Sequence, residues 1–149
     1  MPAPKARGRR GSAGRVGSAV HRGLVGARTL VGTPYLADPE LRSEYARDIA
    51  PRTEAALARV LDEVWGAFGA GLPVRALDLG AGTGAVGRVL RARCGEALEL
   101  VAVDQTPGPG VLRANLAVEL PRVEGKFDLV VAAHLLNELF VSRPDRVSL

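Results

Sequence analysis

The chain is poor in cysteine and in aromatic residues, and it contains no long hydrophobic run. Its single cysteine, Cys94, excludes an internal disulfide and a metal site built from several thiolates. No apolar stretch approaches the roughly 20 residues that a membrane-spanning helix needs. We therefore expect a protein of a reducing compartment, with no membrane partner and no metal ion held by this chain.

The remaining composition is that of an ordinary globular domain. The chain has 149 residues, of which 47% are hydrophobic and 24% are charged. This length suffices to bury a hydrophobic core, and both fractions are typical of folded proteins. We expect one compact domain. A segment whose composition departs from these values is expected to lie outside it.

Acidic residues are absent from the first 34 positions, which hold seven basic residues. Residues 35–149 then carry 13 basic and 16 acidic groups, so the net charge of +4 reflects the beginning of the chain. We predict a disordered, basic, Gly/Arg-rich leader over residues 1–33. Such a leader can bind RNA phosphates. The alternatives are a leader that has no dedicated partner, and an organelle-targeting peptide, which the glycines of the segment disfavour because each lowers helix propensity.

Arginine outnumbers lysine by 18 to 2, and alanine, glycine and valine are abundant. This bias is typical of a GC-rich bacterial genome. The expected compartment is a bacterial cytoplasm, with a mitochondrial location as the alternative.

A helical segment is predicted over residues 34–72. Asp38 is suited to cap a helix over residues 39–49, because a carboxylate accepts hydrogen bonds from the first free amides. A second helix is predicted over Thr53–Phe68, where apolar residues recur at helical spacing.

After residue 72 the pattern changes to alternating strands and helices. Short continuous apolar runs separated by helices are typical of a parallel sheet covered on both faces. The predicted fold class is α/β, a Rossmann-like doubly wound parallel sheet truncated after about four strands. The predicted strands cover residues 74–79, 98–103, 111–117 and 127–132, and the predicted helices cover residues 85–93 and 135–141.

The most informative segment is Asp78-Leu79-Gly80-Ala81-Gly82-Thr83-Gly84, which lies between the first strand and the next helix. In a doubly wound sheet, ligands bind at the carboxyl ends of the strands. Glycines there allow a sharp turn and a close approach of the backbone to the ligand. The amides that open the following helix can face a ligand carboxylate.

Two carboxylates accompany this loop. Asp104 ends the second strand, 20 residues after Gly84, and can accept hydrogen bonds from both hydroxyls of a ribose. Asp78 ends the first strand, where it can bind an ammonium group. Residues 82–87 also match the dinucleotide pattern GxGxxG, so a nicotinamide or flavin dinucleotide remains an alternative.

The segment from Asp78 to Gly84 resembles the first motif of class I methyltransferases, (D/E)xGxGxG. This resemblance implies S-adenosylmethionine as the cofactor and residues 73–149 as a partial domain that binds it. The cofactor-binding residues that it implies are Asp78, Gly80, Ala81, Gly82, Gly84, Asp104 and Asn115. Asn115 is the positional match for a polar residue near the adenine amino group, and an ordinary surface asparagine is the alternative.

The segment DLVVAAHLLNEL, residues 128–139, resembles bacterial relatives of the methyltransferase-like proteins that act in assembly of the mitochondrial small ribosomal subunit. The resemblance covers residues 35–141. It implies a methyltransferase, or a methyltransferase-like factor, connected with the small ribosomal subunit and translation, which contacts rRNA through the basic leader. The alternatives are a methyltransferase of a small molecule or protein, and a non-catalytic assembly factor that binds the cofactor.

No catalytic residue is identified from the sequence. His134, Asn137 and Glu138 are weak candidates, because they follow the fourth strand and can share one helix face. Each has an ordinary interpretation as a polar residue at a strand end or on a solvated helix. Because about seven strands are typical of this fold and four at most are found here, we expect the chain by itself to be an inactive fragment.

Overall fold

A four-stranded parallel sheet forms the centre of the molecule. The structure, a computed structural model, describes residues 18–68 and 71–139. The strands lie in the order β3-β2-β1-β4 and all pairs are parallel. They are β1 (Arg75–Leu79), β2 (Glu99–Asp104), β3 (Val111–Arg113) and β4 (Leu129–Val131).

This strand order confirms the predicted α/β, doubly wound fold class. The chain runs outward from β1 to β3 and then returns to the other side of β1, where β4 pairs with it. The order 3-2-1-4 is that of the Rossmann-like sheet, in which ligands bind beyond the carboxyl ends of the strands where the order reverses. In this chain that position lies between β1 and β4.

Helices precede the sheet and cover it. An initial helical turn, α1 (Ala19–His21), continues into a π-helical turn over Arg22–Gly26, and a 3-10 turn over Tyr35–Ala37 precedes α2 (Pro39–Asp48). Among the described residues, no helix has the length and apolar character needed to cross a bilayer. The α-helices are α1 (Ala19–His21), α2 (Pro39–Asp48), α3 (Ala50–Phe68), α4 (Ala85–Cys94) and α5 (Leu135–Leu139).

The beginning of the chain differs from the predicted leader. Residues 18–33 form helical turns, and Val20 is fully buried against the side chains of Tyr35 and Leu36. This cluster is also contacted by three apolar side chains from α2 and the residue after it, Leu41, Tyr45 and Ile49. Leader residues 1–17 and the predicted helix end after Leu139 lie outside the described residues.

The predicted helix boundaries are close to those observed. The Asp38 carboxylate accepts hydrogen bonds from the amides of Glu40 and Leu41, as expected of a helix cap. The second helix begins at Ala50 rather than Thr53, so that Pro51 lies in its first turn. Proline is tolerated there because the amides of the first turn have no helical partner, and the missing amide of proline therefore costs no hydrogen bond.

The third strand is shorter than predicted. It ends at Arg113 rather than Ala117, because a turn follows in which the Asn115 side chain accepts a hydrogen bond from the Ala117 amide at 3.0 Å. Six residues, 105–110, join β2 to β3 without a helix, as their proline and glycine content predicts.

The main core lies between one face of the sheet and helices α3 and α4. Its buried members are Leu61, Ala76, Val86, Leu90 and Leu98. Helix α4 approaches β2 closely at Gly87, where a Cβ atom would lie 2.9 Å from Leu100 Cδ2. This packing fixes the start of α4, and hence the glycine loop before it, relative to the ends of β1 and β2.

Truncation of this core tests the fold. Leu90 is 0% exposed, so Leu90→Ala should lower the free energy of unfolding by about 2–5 kcal/mol. Leu120 is 72% exposed, so Leu120→Ala should change it by no more than about 0.5 kcal/mol. Chemical denaturation measures both, and equal losses in the two variants would contradict the described core.

Candidate functional site

The loop from Gly80 to Gly84 joins β1 to α4 at the carboxyl end of the sheet. Gly80, Gly82 and Gly84 have φ angles of 77°, 53° and 81°. These angles lie in the left-handed region, which a residue with a Cβ atom enters only at an energetic cost. The alternate glycines are therefore explained by the backbone path of the loop, whatever the loop binds.

Backbone amides anchor this loop to the end of β2. The Gly80 and Ala81 amides donate to the Val103 carbonyl at 2.8 and 3.0 Å. The Gly82 amide donates to Asp104 Oδ2 at 2.8 Å. These three loop amides are therefore not free to bind a ligand, whereas the sequence prediction concerned the amides that open the following helix, α4.

Asp104 lies where the sequence predicts it, at the end of β2 and in the lining of a cleft. Its residue is 8% exposed, and its second oxygen, Oδ1, accepts a hydrogen bond from the Thr106 amide at 2.7 Å. Each carboxylate oxygen has two acceptor positions. Asp104 can therefore hold the glycine loop and still accept hydrogen bonds from a ligand.

Asp78 is a buried carboxylate without a partner. It is 1% exposed, and neither carboxylate oxygen accepts a hydrogen bond from any residue that the structure describes. Burial, and then the nearby charge of Asp104, raises the pKa of Asp78 to about 7. Asp78 does not itself line the cleft, since it lies beneath the loop, so a cationic ligand group would have to reach it past Gly80 and Gly82.

The cleft above the loop has one wall from the sheet and one from the beginning of the chain. Among the predicted residues, Gly80, Gly82, Asp104 and Asn115 line it, whereas Ala81 and Gly84 do not. The opposite wall, which the sequence did not reveal, consists of Gly32, Thr33, Tyr35, Leu36 and Tyr45. In a chain with two tyrosines, the presence of both in one cleft is the signal that sequence reasoning overlooked.

Contacts across the cleft keep these walls close together. The Leu36 side chain packs on the loop, with Cδ1 3.3 Å from the position of a Cβ atom on Gly82. The Gln105 side-chain amide donates to the Thr33 carbonyl at 3.2 Å. The enclosed space is about 90 Å³, whereas small-molecule sites measure about 300–1,000 Å³. We expect the wall formed by Thr33 and Leu36 to move outward when a ligand binds.

Two of the three candidate catalytic residues, His134 and Glu138, line the cleft. His134 has a φ angle of 60°, a strained value that sets its position between β4 and α5. Glu138 Oε1 accepts a hydrogen bond from the Tyr35 hydroxyl at 3.4 Å, and burial raises the pKa of both side chains. Asn137 does not line the cleft, and its backbone carbonyl accepts a hydrogen bond from Arg28.

The charges of the cleft favour a cationic ligand. Its lining includes the carboxylates of Asp104 and Glu138, with Asp78 buried behind them, and contains neither lysine nor arginine. Within the described ranges, no group of histidine, cysteine and acidic side chains is arranged to hold a metal ion. The acidic lining of the cleft therefore favours a ligand group that carries positive charge.

Comparison of the chain with family models, with curated proteins and with solved structures gave no match.

The unpartnered carboxylate gives a stability prediction. The pKa of Asp78 is about 7 in the folded protein against 3.8 for an ordinary aspartate, so the folded state holds a proton that the unfolded state releases. The free energy of unfolding should then fall as the pH rises from about 4 to 7. Asp78→Asn should remove this loss and stabilise the ligand-free protein at pH 8 by up to about 4 kcal/mol, because a tenfold change in proton binding is worth about 1.4 kcal/mol.

Denaturation of wild type and Asp78→Asn across this pH range is the measurement. Glu63→Gln, at an exposed carboxylate on α3, is the control and should leave the pH dependence unchanged. Parallel profiles for wild type and Asp78→Asn would contradict the buried, uncompensated state of Asp78.

Proposed function

We propose that the chain binds S-adenosylmethionine and belongs to a methyltransferase. The observation that carries the proposal is the buried, unpartnered carboxylate of Asp78 beneath a glycine loop at the carboxyl end of β1. A buried carboxylate without a partner is costly for stability, and a ligand ammonium group would compensate this cost. The methionine part of the cofactor carries such a group.

The same site argues against a dinucleotide. A pyrophosphate carries negative charge and is normally held by free amides at the start of a helix. The cleft lining offers Asp104 and Glu138 and contains neither lysine nor arginine. This acidic lining disfavours an anionic cofactor and favours one with a net positive charge.

In this proposal each element of the site has a distinct part. Asp104 would accept hydrogen bonds from the ribose hydroxyls, Asn115 would lie near the adenine, and Asp78 would compensate the ammonium group. When bound, S-adenosylmethionine supplies an electrophilic methyl group on a positively charged sulfur atom. Methyl transfer depends mainly on in-line positioning of the acceptor, so His134 and Glu138 would act by positioning it or by receiving a proton.

The carboxylates provide the direct test. Asp104→Asn should weaken binding of S-adenosylhomocysteine by about 1.5–3 kcal/mol, roughly 10–150-fold, because a hydrogen bond to a charged acceptor is removed. Asp78→Asn should weaken S-adenosylmethionine binding while it stabilises the ligand-free protein, which is the behaviour of a group kept for binding at the expense of stability.

Isothermal titration calorimetry measures these affinities, with thermal unfolding as the check that each variant is folded. Glu63→Gln again serves as the control and should bind like the wild type. Unchanged affinity in Asp104→Asn would refute the ribose assignment. Tighter binding of NAD than of S-adenosylhomocysteine would refute the methyltransferase proposal itself.

For the acceptor, the family resemblance supports a ribosomal role, as a methyltransferase or as a non-catalytic factor, with rRNA contacted by the beginning of the chain. Five of the seven basic residues in the first 34 precede residue 18, where the described structure begins. Deletion of residues 1–17 leaves Val20 and the cleft wall in place, whereas deletion through residue 33 would remove them. The shorter deletion therefore separates the basic segment from the site.

Deletion of residues 1–17 should weaken binding to small ribosomal subunits and flatten its salt dependence. The slope should fall by about 0.7–0.9 for each RNA phosphate that the deleted segment neutralises. S-adenosylhomocysteine affinity should not change. A full-length variant with glutamine at the five basic positions (Lys5, Arg7, Arg9, Arg10 and Arg15) separates the effect of charge from that of length. Salt slopes equal to that of the wild type in both variants would exclude RNA binding by this segment.

A small-molecule acceptor is the second candidate, and a specific observation favours it. A second, larger cavity adjoins the cleft and shares His134 and Glu138 with it. An acceptor bound there would lie next to the proposed cofactor site and away from the sheet surface.

A further inference from the structure

The second cavity lies between the beginning of the chain and helices α2, α3 and α5. Its volume is about 490 Å³, which is the size of a site for a small organic molecule. Three residues, Tyr45, His134 and Glu138, line both this cavity and the cleft above the glycine loop. The two spaces therefore meet at these side chains.

Most of the cavity wall is apolar. Leu24, Val25 and Val31 come from the beginning of the chain, and Ile49 and Ala56 face them from the other side. Such a wall favours a ligand with a hydrophobic body, because its burial removes apolar surface from water.

The polar part of the cavity contains two arginines, Arg28 and Arg52, and His21. The carboxylate of Asp48, which interacts electrostatically with Arg52, forms an ion pair with Arg47 at 2.9 Å. Arg28 donates through one guanidinium nitrogen to the Asn137 carbonyl at 3.1 Å. Several guanidinium donors therefore remain available to a carboxylate or a phosphate, which arginine binds in a planar, bidentate manner.

The acidic residue of the cavity, Glu138, lies where the cavity meets the cleft, whereas Arg52 belongs to a different helix, α3. Glu138 is engaged there by the Tyr35 hydroxyl. An anionic ligand would thus be directed with its charged group toward the arginines and its other end toward His134 and the cleft. This distribution of charge would orient a ligand even if its apolar part made no specific contact with the cavity.

We propose that this cavity binds the methyl acceptor, and that the acceptor is a small molecule with an apolar body and one carboxylate or phosphate group. The inference rests on the proposed function, because it takes the adjoining cleft as the cofactor site. The nucleophilic atom of the acceptor forms the new bond to the methyl carbon, while the electrons of the broken carbon–sulfur bond stay on sulfur. The proton that the acceptor releases passes to the imidazole of His134 and from there to solvent.

The test is a binding screen with matched pairs of compounds. Each pair consists of an aromatic or aliphatic carboxylate with a hydroxyl or amino group, such as 4-hydroxybenzoate, and its neutral amide of the same shape; phosphate monoesters form a second set. Ligand-observed NMR measures binding to the full chain, with and without S-adenosylhomocysteine. Carboxylates or phosphate esters should bind, and their neutral partners should bind at least about tenfold more weakly.

Variants of two arginines on α3 assign the binding to the cavity. Arg52→Gln should weaken binding of the anionic compounds about tenfold or more, as expected for the removal of a charge-assisted hydrogen bond. Arg59→Gln, on the same helix but outside the cavity lining, should have no effect. Neither variant should alter the affinity for S-adenosylhomocysteine, because neither residue lines the cleft.

Distinct results overturn the inference and the proposed function. Equal binding of charged and neutral partners, no binding by any compound, or equal effects of Arg52→Gln and Arg59→Gln would overturn the inference. The inference would also be overturned if an oligouridine hexamer bound through Arg52 while no small anion bound, since this result would indicate RNA as the occupant. If the anions bind through Arg52 but S-adenosylhomocysteine does not bind, the anion site stands and the methyltransferase proposal fails.

Discussion

The attachment of the glycine loop to the end of β2 is the constraint on which the candidate site depends. Three successive amides, from Gly80 to Gly82, donate to Val103 and Asp104. A chain can make these hydrogen bonds only if it turns sharply after β1, and the positive φ angles of the glycines permit this turn. The parallel pairing of β1 with β2 brings two carboxylates, Asp78 and Asp104, close enough for the second to raise the pKa of the first.

The buried carboxylate of Asp78 therefore lowers the stability of the ligand-free protein. Asp78 is among the most buried side chains of the molecule, and neither of its oxygens has a partner in the described part of the chain. A hydrophobic or amide side chain at this position would suit the ligand-free fold better. The neighbouring core, in which Leu90 is fully buried, offsets this cost. A destabilising group that persists in a well-packed core suggests a role in binding rather than in folding.

The beginning of the chain connects the two spaces near the sheet. The segment from Val20 to Leu36 packs on α2, closes the cleft through Leu36, and supplies Arg28 and three apolar residues to the second cavity. Because one segment forms walls of both, an outward movement that admits a ligand to the cleft also changes the shape of the cavity.

The sequence by itself determined the strand and helix pattern, the glycine loop and the position of Asp104, because these follow from local periodicity and from the backbone geometry that glycine allows. It did not reveal that residues 18–33 are folded, because their packing depends on contacts between residues that are apart in the sequence. Val20 packs against Tyr35 and Leu36, and Leu30 lies close to Gly23. Only the tertiary structure decided which loop amides are engaged, that Asp78 has no partner among the described residues, and that Tyr35 meets Glu138 across 103 positions. Such features depend on long-range packing, which no local pattern of residues encodes.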